Sequence, residues 1–150
     1  LPASRVGGRV EDLGGMGQDS TVSVSASGLR AQSLRMRIIA ENLANQSSVA
    51  TTPGGAPYRR RIPTFKAEVD RASGATTVKV GSVATDKSEF QRVYQPGNPA
   101  ADARGYVLTP NVNGLIEMAD MKAAQRSYEA NLNAIEAARG MTMRTIDLLK

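Results

Sequence analysis

The chain has 150 residues, a formal net charge of +5, 4% aromatic residues, and no Trp, Cys or His. Without cysteine there is no disulfide framework and no thiolate metal site, and without histidine the commonest general base and metal ligand are both missing. The length suits one domain or a small domain with helical extensions, and no run of eighteen apolar residues or secretory apolar segment occurs, so a cytosolic chain or one exported without a cleaved signal is expected.

Residues 1–19 (LPASRVGGRVEDLGGMGQD) are rich in Gly and lack sustained periodicity. They read as a disordered leader or an artificial remnant, with Met16 as the natural start. Asp19, Ser20 and Thr21 offer caps for a helix over 20–48. In it Val22, Leu29, Met36 and Leu43 recur every seven residues, with Ala26, Ser33 and Ala40 four places after the first three, which makes a narrow heptad seam. Gly28 lies inside this helix although Gly costs about 1 kcal/mol there relative to Ala. Close backbone approach by another helix explains it. Asn42 and Asn45 flank Leu43, and amides at those places bond across an interface or cap the helix end, fixing register either way.

TTPGGAP (51–57) is a loop by its Pro and Gly. From Tyr58 the pattern alternates, with Phe65, Ala67 and Val69 on one side and Lys66, Glu68 and Asp70 on the other, which predicts a half-exposed strand. Ser73-Gly74 supplies a turn, Thr77 to Ala84 a second strand and Phe90 to Tyr94 a third; QPGNPAADARG then breaks the pattern before a short apolar step, Gly105 to Leu108, stopped by Pro110. Asn111 to Asn113 cap a C-terminal helix over 112–150. In this helix Met118, Met121, Tyr128, Leu132, Ile135, Ile146 and Leu149 take a and d places, interrupted by Gln125, Arg139 and Thr142.

The expected fold class is α+β: long N- and C-terminal helices (20–48 and 112–150) forming a coiled-coil-like pair, with a small β-rich middle domain (49–111). An ordinary small bundle of amphipathic helices is the plainer alternative. The many small residues of the first helix return little apolar burial for the backbone they order, which points to helices that need neighbouring subunits.

No catalytic arrangement stands out, since no histidine can activate a serine and no G-x-S-x-G elbow is present. The chain is read as no enzyme, with a Ser/Lys hydrolase as the catalytic alternative, and no metal or cofactor is expected. Lys and Arg are scattered rather than gathered in one stripe, which argues against nucleic acid. The densest charge run, Arg59-Arg60-Arg61, has three readings. It is a solvated edge strand whose charge discourages stray pairing, a contact with acidic groups of a neighbouring subunit, or a phosphate site. Arg37 and Glu41, four residues apart, read as a helix-surface ion pair.

Ser25-Ala26-Ser27-Gly28-Leu29-Arg30-Ala31-Gln32 and then Ile39-Ala40-Glu41-Asn42-Leu43-Ala44-Asn45 resemble the N-terminal signature of bacterial flagellar axial proteins, the rod, hook and hook–filament junction group. Tyr58 to Arg61, Tyr94 to Asp102, Gly105 to Val107, Pro110 to Asn113, Glu117 to Met121 and Ala124 to Leu132 resemble one rod member of that group more closely. The likeness runs from about Met16 to Lys150.

The resemblance implies a structural subunit of the proximal rod of the flagellar basal body, exported through the type III channel and assembling helically through its terminal helices to transmit torque. It implies a location spanning the periplasm, with the β unit facing outward. Its implied partners are further copies, the rod subunits FlgB and FlgF, FliE and the membrane ring protein FliF, with no nucleic acid and no membrane insertion. A related rod subunit such as FlgB, or another type III-exported coiled-coil protein, is the runner-up. The expected sites are interfaces. Leu29, Met36 and Leu43 would pack against Tyr128, Leu132 and Ile135, with Asn42, Asn45 and Asn131 setting register, and Gly28, Ile146 and Arg59, Arg60 and Arg61 complete the set.

Overall fold

The computed structural model describes residues 11–149. Two long helices, α1 (Glu11–Ala44, 34 residues) and α2 (Gly114–Leu148, 35 residues), pack against each other. At about 1.5 Å per residue each spans roughly 50 Å. They run antiparallel, because their partners follow opposite order. Asn42 meets Glu117, Arg35 meets Asp120, Gly28 lies over Asn131, and Val22 shares a groove with Ala138. Asn113 caps α2 as its spacing suggested, its side-chain oxygen accepting from the Leu115 and Ile116 N–H groups.

α1 begins at Glu11, so residues 11–19 of the expected leader are helical, and Thr21 bonds back to the Gly17 carbonyl instead of capping. Residues 1–10 of that leader lie outside the described residues. Gly14, Gly15 and Gly17 make this stretch a weak helix by propensity. Its partner α2 extends equally far.

The buried stripe of α2 differs from the expected one on one edge. Met121, Tyr128 and Ile135 are half-buried, but they alternate with Glu117, Ala124, Asn131 and Ala138, one residue before the expected Met118, Gln125, Leu132 and Arg139. Met118 and Leu132 are therefore 55% and 38% exposed. α1 buries Ser25, Ser27, Ala31, Ile38, Ile39 and Asn42, while Leu29, Met36 and Leu43 are half-buried and Ser33 and Ala40 exposed. One heptad seam cannot describe this helix, because it has neighbours on two sides. Gly28, Arg35 and Asn42 face α2, while Ser23 and Ser27 face a β-hairpin.

That hairpin consists of β1 (Arg61–Val69) and β2 (Thr76–Thr85), antiparallel, with a register shift between Pro63 and Phe65. Its turn needs Gly74 at φ +70°, a conformation glycine adopts without steric cost. The hairpin lies back along α1, with its base at Asn42, where that side chain bonds Arg61, and its tip at Ser23, which donates to Asp70 at 3.2 Å. The lengths agree: nine strand residues at about 3.3 Å and nineteen helix steps at about 1.5 Å both give roughly 30 Å. A second antiparallel pair, β3 (Gln91–Tyr94) and β4 (Tyr106–Thr109), forms a separate two-stranded sheet, so the middle segment is two hairpins rather than one continuous sheet.

Candidate functional site

The densest polar chemistry lies where the hairpin base meets the helix pair. Asn42 is 1% exposed and Glu117 fully buried, two polar groups in a position that an apolar residue would fill in an ordinary helix pair. Their burial is compensated by partners. The Asn42 amide mates with the β1 edge as another strand would: its oxygen accepts from the Arg61 N–H at 3.0 Å and its nitrogen donates to the Arg61 carbonyl at 2.9 Å. The same oxygen accepts from the Tyr58 hydroxyl at 2.7 Å, and the nitrogen also reaches the Glu117 carboxylate at 3.5 Å. Glu117 accepts from the Arg60 Nε. Every polar atom of Asn42 is thereby used, the condition under which a buried polar group stabilises a fold.

Arg60 gathers three carboxylates, two from α2 and one from the loop after β2. Besides Glu117 it pairs with Asp86 at 3.3 Å, in the loop after β2, and with Asp120 at 3.7 Å, one turn along α2. Its backbone N–H donates to Asn111 at 2.8 Å, and Asn111 in turn donates to the carbonyls of Asp86 and Ser88. Burial works against the Arg60 charge, but the hydrogen bonds to Glu117 and Asp86 outweigh it and hold the guanidinium above its usual value. Asp86 is held below the usual carboxylate range, chiefly by the Ser88 N–H and hydroxyl, with Arg60 adding to them and desolvation opposing. Tyr58 is pushed up by burial and by the Glu41 and Glu117 carboxylates, with Arg61 opposing.

The arginine run is thus engaged within its own chain. Arg61 pairs with Glu41 at 2.7 Å, so Glu41 serves β1 rather than Arg37, and Arg59 donates to the carbonyls of Asp86 and Ser88 while its guanidinium stacks 4.1 Å above the Phe90 ring. Neither a solvated edge nor a phosphate site describes side chains so committed, and the acidic partners expected on a neighbour are Glu117, Asp86, Asp120 and Glu41 of this chain. Sequence reasoning missed Tyr58, Asp86, Asn111 and Glu117 as members of the site. Glu117 carried a signal, a carboxylate on the stripe continued by Met121 and Ala124.

The remaining expected interface residues fall in distinct places. Asn45 closes the end of α1, donating to the Glu41 carbonyl at 2.8 Å and accepting from the Ser48 hydroxyl. Asn131 donates to the Ser127 carbonyl and lies against Gly28, where an added Cβ would stand 2.6 Å from its amide nitrogen. Leu29, Met36 and Leu43 lie half-buried on α1, Tyr128 and Ile135 half-buried on α2, and Leu132 and Ile146 exposed at 38% and 47%.

The junction at Asn42, Arg60 and Glu117 is a network of hydrogen bonds and ion pairs. Its donors and acceptors are matched to one another, and among the described residues no group of acidic side chains is placed to hold a metal ion and no helix is long and apolar enough to cross a membrane. The arrangement fixes one element against another. Residues 103–148 match the family model described as flagellar basal body rod FlgEFG protein C-terminal. The chain is 53% identical over 127 residues to the flagellar basal-body rod protein FlgC of Agrobacterium fabrum, covering 85% of this chain and 91% of that one. The chain belongs to the FlgC family. FlgC of Salmonella typhimurium is 44% identical over 83% of this chain and 92% of its own, and FlgC of Bacillus subtilis 37% over 87% and 97%. Membership in the FlgC family makes the chain a structural component of the flagellar basal-body rod rather than an enzyme, and sets aside the hydrolase and FlgB-like alternatives.

Proposed function

We propose that this FlgC-family chain builds its part of the rod by one-way stacking of the antiparallel helix pair, which then carries torque along its length. The observation that supports this most directly is a pair of unlike apolar patches toward opposite ends of α2. Leu115, Ile116 and Met118 are exposed near its start, and Met141, Met143, Ile146, Leu148 and Leu149 near its end. Unlike patches that fit each other make heterologous contacts, and contacts of that kind propagate into an open helical assembly instead of closing into a dimer. Leu132, exposed mid-helix, continues the outward stripe.

In this reading the helices supercoil as a coiled coil within the rod, the hairpins point outward, and the junction at Asn42 and Glu117 keeps them aligned with the axis. Partners are further copies of the chain, FlgB and FlgF, FliE and the ring protein FliF. Export runs through the type III channel without a cleaved signal, to a position spanning the periplasm. The test is incorporation of Leu148→Asp/Leu149→Asp protein into purified basal bodies. Both side chains are more than four-fifths exposed, so the dilute chain should fold unchanged by circular dichroism while incorporation and motility are lost. Normal incorporation would refute the stacking scheme.

A further inference from the structure

The two edges of the β1–β2 hairpin are treated differently by the fold. Val78, opposite Ala67, turns its N–H away from β1 and donates it to the Ser27 hydroxyl at 3.1 Å, so α1 engages the β2 edge at its middle. At the tip the Asp70 N–H bonds the Ala75 carbonyl across the turn. Strand alternation from both ends then points the N–H and C=O groups of Phe65, Ala67 and Val69 away from β2. Toward the base the same edge is closed, by the Asn42 amide at Arg61 and by Pro63, which has no N–H. Beyond Pro63 it lies open. Residues 65–69 are all exposed, with Phe65 at 37% and Val69 at 62%, and among the described residues none of these three outward N–H groups has a partner.

The open stretch reads Phe65-Lys66-Ala67-Glu68-Val69, and it is its own complement when reversed. We propose that two free copies of the chain pair antiparallel along this edge, with Ala67 opposite Ala67 of the second copy. Phe65 then lies opposite Val69 and Lys66 opposite Glu68, twice over by symmetry. Because Phe65, Ala67 and Val69 carry the outward groups, each of these opposed pairs exchanges both backbone hydrogen bonds, and the Lys66–Glu68 pairs fall at the non-bonded positions where side chains approach most closely. An opposed charge pair and an aromatic opposite a β-branched residue are both favourable across strands. Within its own hairpin Lys66 faces Lys79, whereas Lys79 has Glu68 at 3.8 Å and Lys66 has no ion pair among the described residues. The second copy supplies the carboxylate that Lys66 lacks. The product is a continuous four-stranded sheet, past the size at which a hairpin stops being marginal.

This contact has two-fold symmetry, whereas one-way stacking relates copies by rotation with translation, so the pairing belongs to the free chain and does not depend on the rod reading. It also hides an edge that would otherwise template aggregation. Sedimentation velocity of the full chain over a range of concentrations, at physiological ionic strength, should show a monomer–dimer equilibrium. Ala67→Pro removes the central donor at a position whose N–H bonds nothing in the monomer and should leave only monomer, with an unchanged circular dichroism spectrum. Lys66→Glu or Glu68→Lys alone should raise the dissociation constant roughly tenfold, since each places like charges opposite one another twice. The double swap Lys66→Glu/Glu68→Lys should restore it. A chain monomeric at every concentration, a dimer indifferent to Ala67→Pro, or a double swap no better than the singles would each overturn the proposal.

Discussion

Asn42 does in this fold what a backbone peptide would do, and only an amide can do it. Asn42→Ala strands the Tyr58 hydroxyl and both Arg61 backbone groups, so a loss of roughly 2 to 4 kcal/mol is expected from unsatisfied groups. Asn42→Asp is nearly isosteric but should be worse, because a carboxylate cannot donate to the Arg61 carbonyl and would lie beside Glu117. Urea unfolding of the two variants checks the order, and an Asp variant as stable as wild type would contradict the assignment. Gly28 makes a second residue-scale case. Gly28→Ala improves helix propensity by about 1 kcal/mol yet drives a Cβ against the Asn131 amide, which is held by the Ser127 carbonyl. Net destabilisation is expected, reversed to a gain when Asn131→Ala removes the obstacle; unfolding midpoints of the single and double variants decide it. Asp86 contributes to the response to acid. Its folded value lies below its unfolded one, so its contribution is present above the ordinary aspartate value of about 3.9 and is lost as pH falls through the folded value. Wild type should exceed Asp86→Asn in stability at pH 7, and the gap should shrink as pH drops below about 4.

At the scale of elements, α2 carries two stripes that differ in exposure, and the stacking proposal gives them different duties. Ala124 is fully buried against the rest of the chain, whereas Leu132 is outward on a neighbouring face. Ala124→Glu should therefore destabilise the helix pair by several kcal/mol, about the cost of a buried unpaired charge after relaxation. Leu132→Glu should change stability by no more than about 0.5 kcal/mol, as exposed substitutions do, yet impair rod incorporation. Thermal melts and basal-body incorporation measured on both variants separate the duties, and a large melting change for Leu132→Glu would mean that the stripes are misassigned. The inward stripe of α2 was legible in the sequence on one edge, at Met121, Tyr128 and Ile135, but not on the other. The apolar Met118 and Leu132 drew the stripe toward them, while the true inner positions hold Glu117 and Asn131, whose burial depends on Arg60, Asn42 and Gly28 arriving from elsewhere.

For the whole molecule, the polar junction and the apolar far end should differ in stability. Buried contacts and the Arg60–Glu117 network concentrate near Asn42, whereas residues 141–149 of α2 are exposed throughout. Native-state hydrogen exchange on the dilute chain should show the strongest protection around Ile38–Asn42 and Glu117–Ala124 and the weakest beyond Met141, with the far end gaining protection on assembly. Uniform protection along α2 in the free chain would show that the end needs no neighbour.

Periodicity, turn residues and caps were enough to determine two terminal helices, the first three strands in order and the cap at Asn113, because each of these follows from contacts within a few residues, whereas β4 read only as a short apolar step. The α+β class follows from the same local rules. The tertiary structure alone decided where α1 starts, which face of α2 turns inward, that the hairpins form separate sheets, and that the arginine run closes on its own chain. The closure of the arginine run and the inward face of α2 depend on partners distant in sequence: Arg60 is satisfied by carboxylates on α2 and in the loop after β2, and only folding brings those groups within hydrogen-bond reach of it.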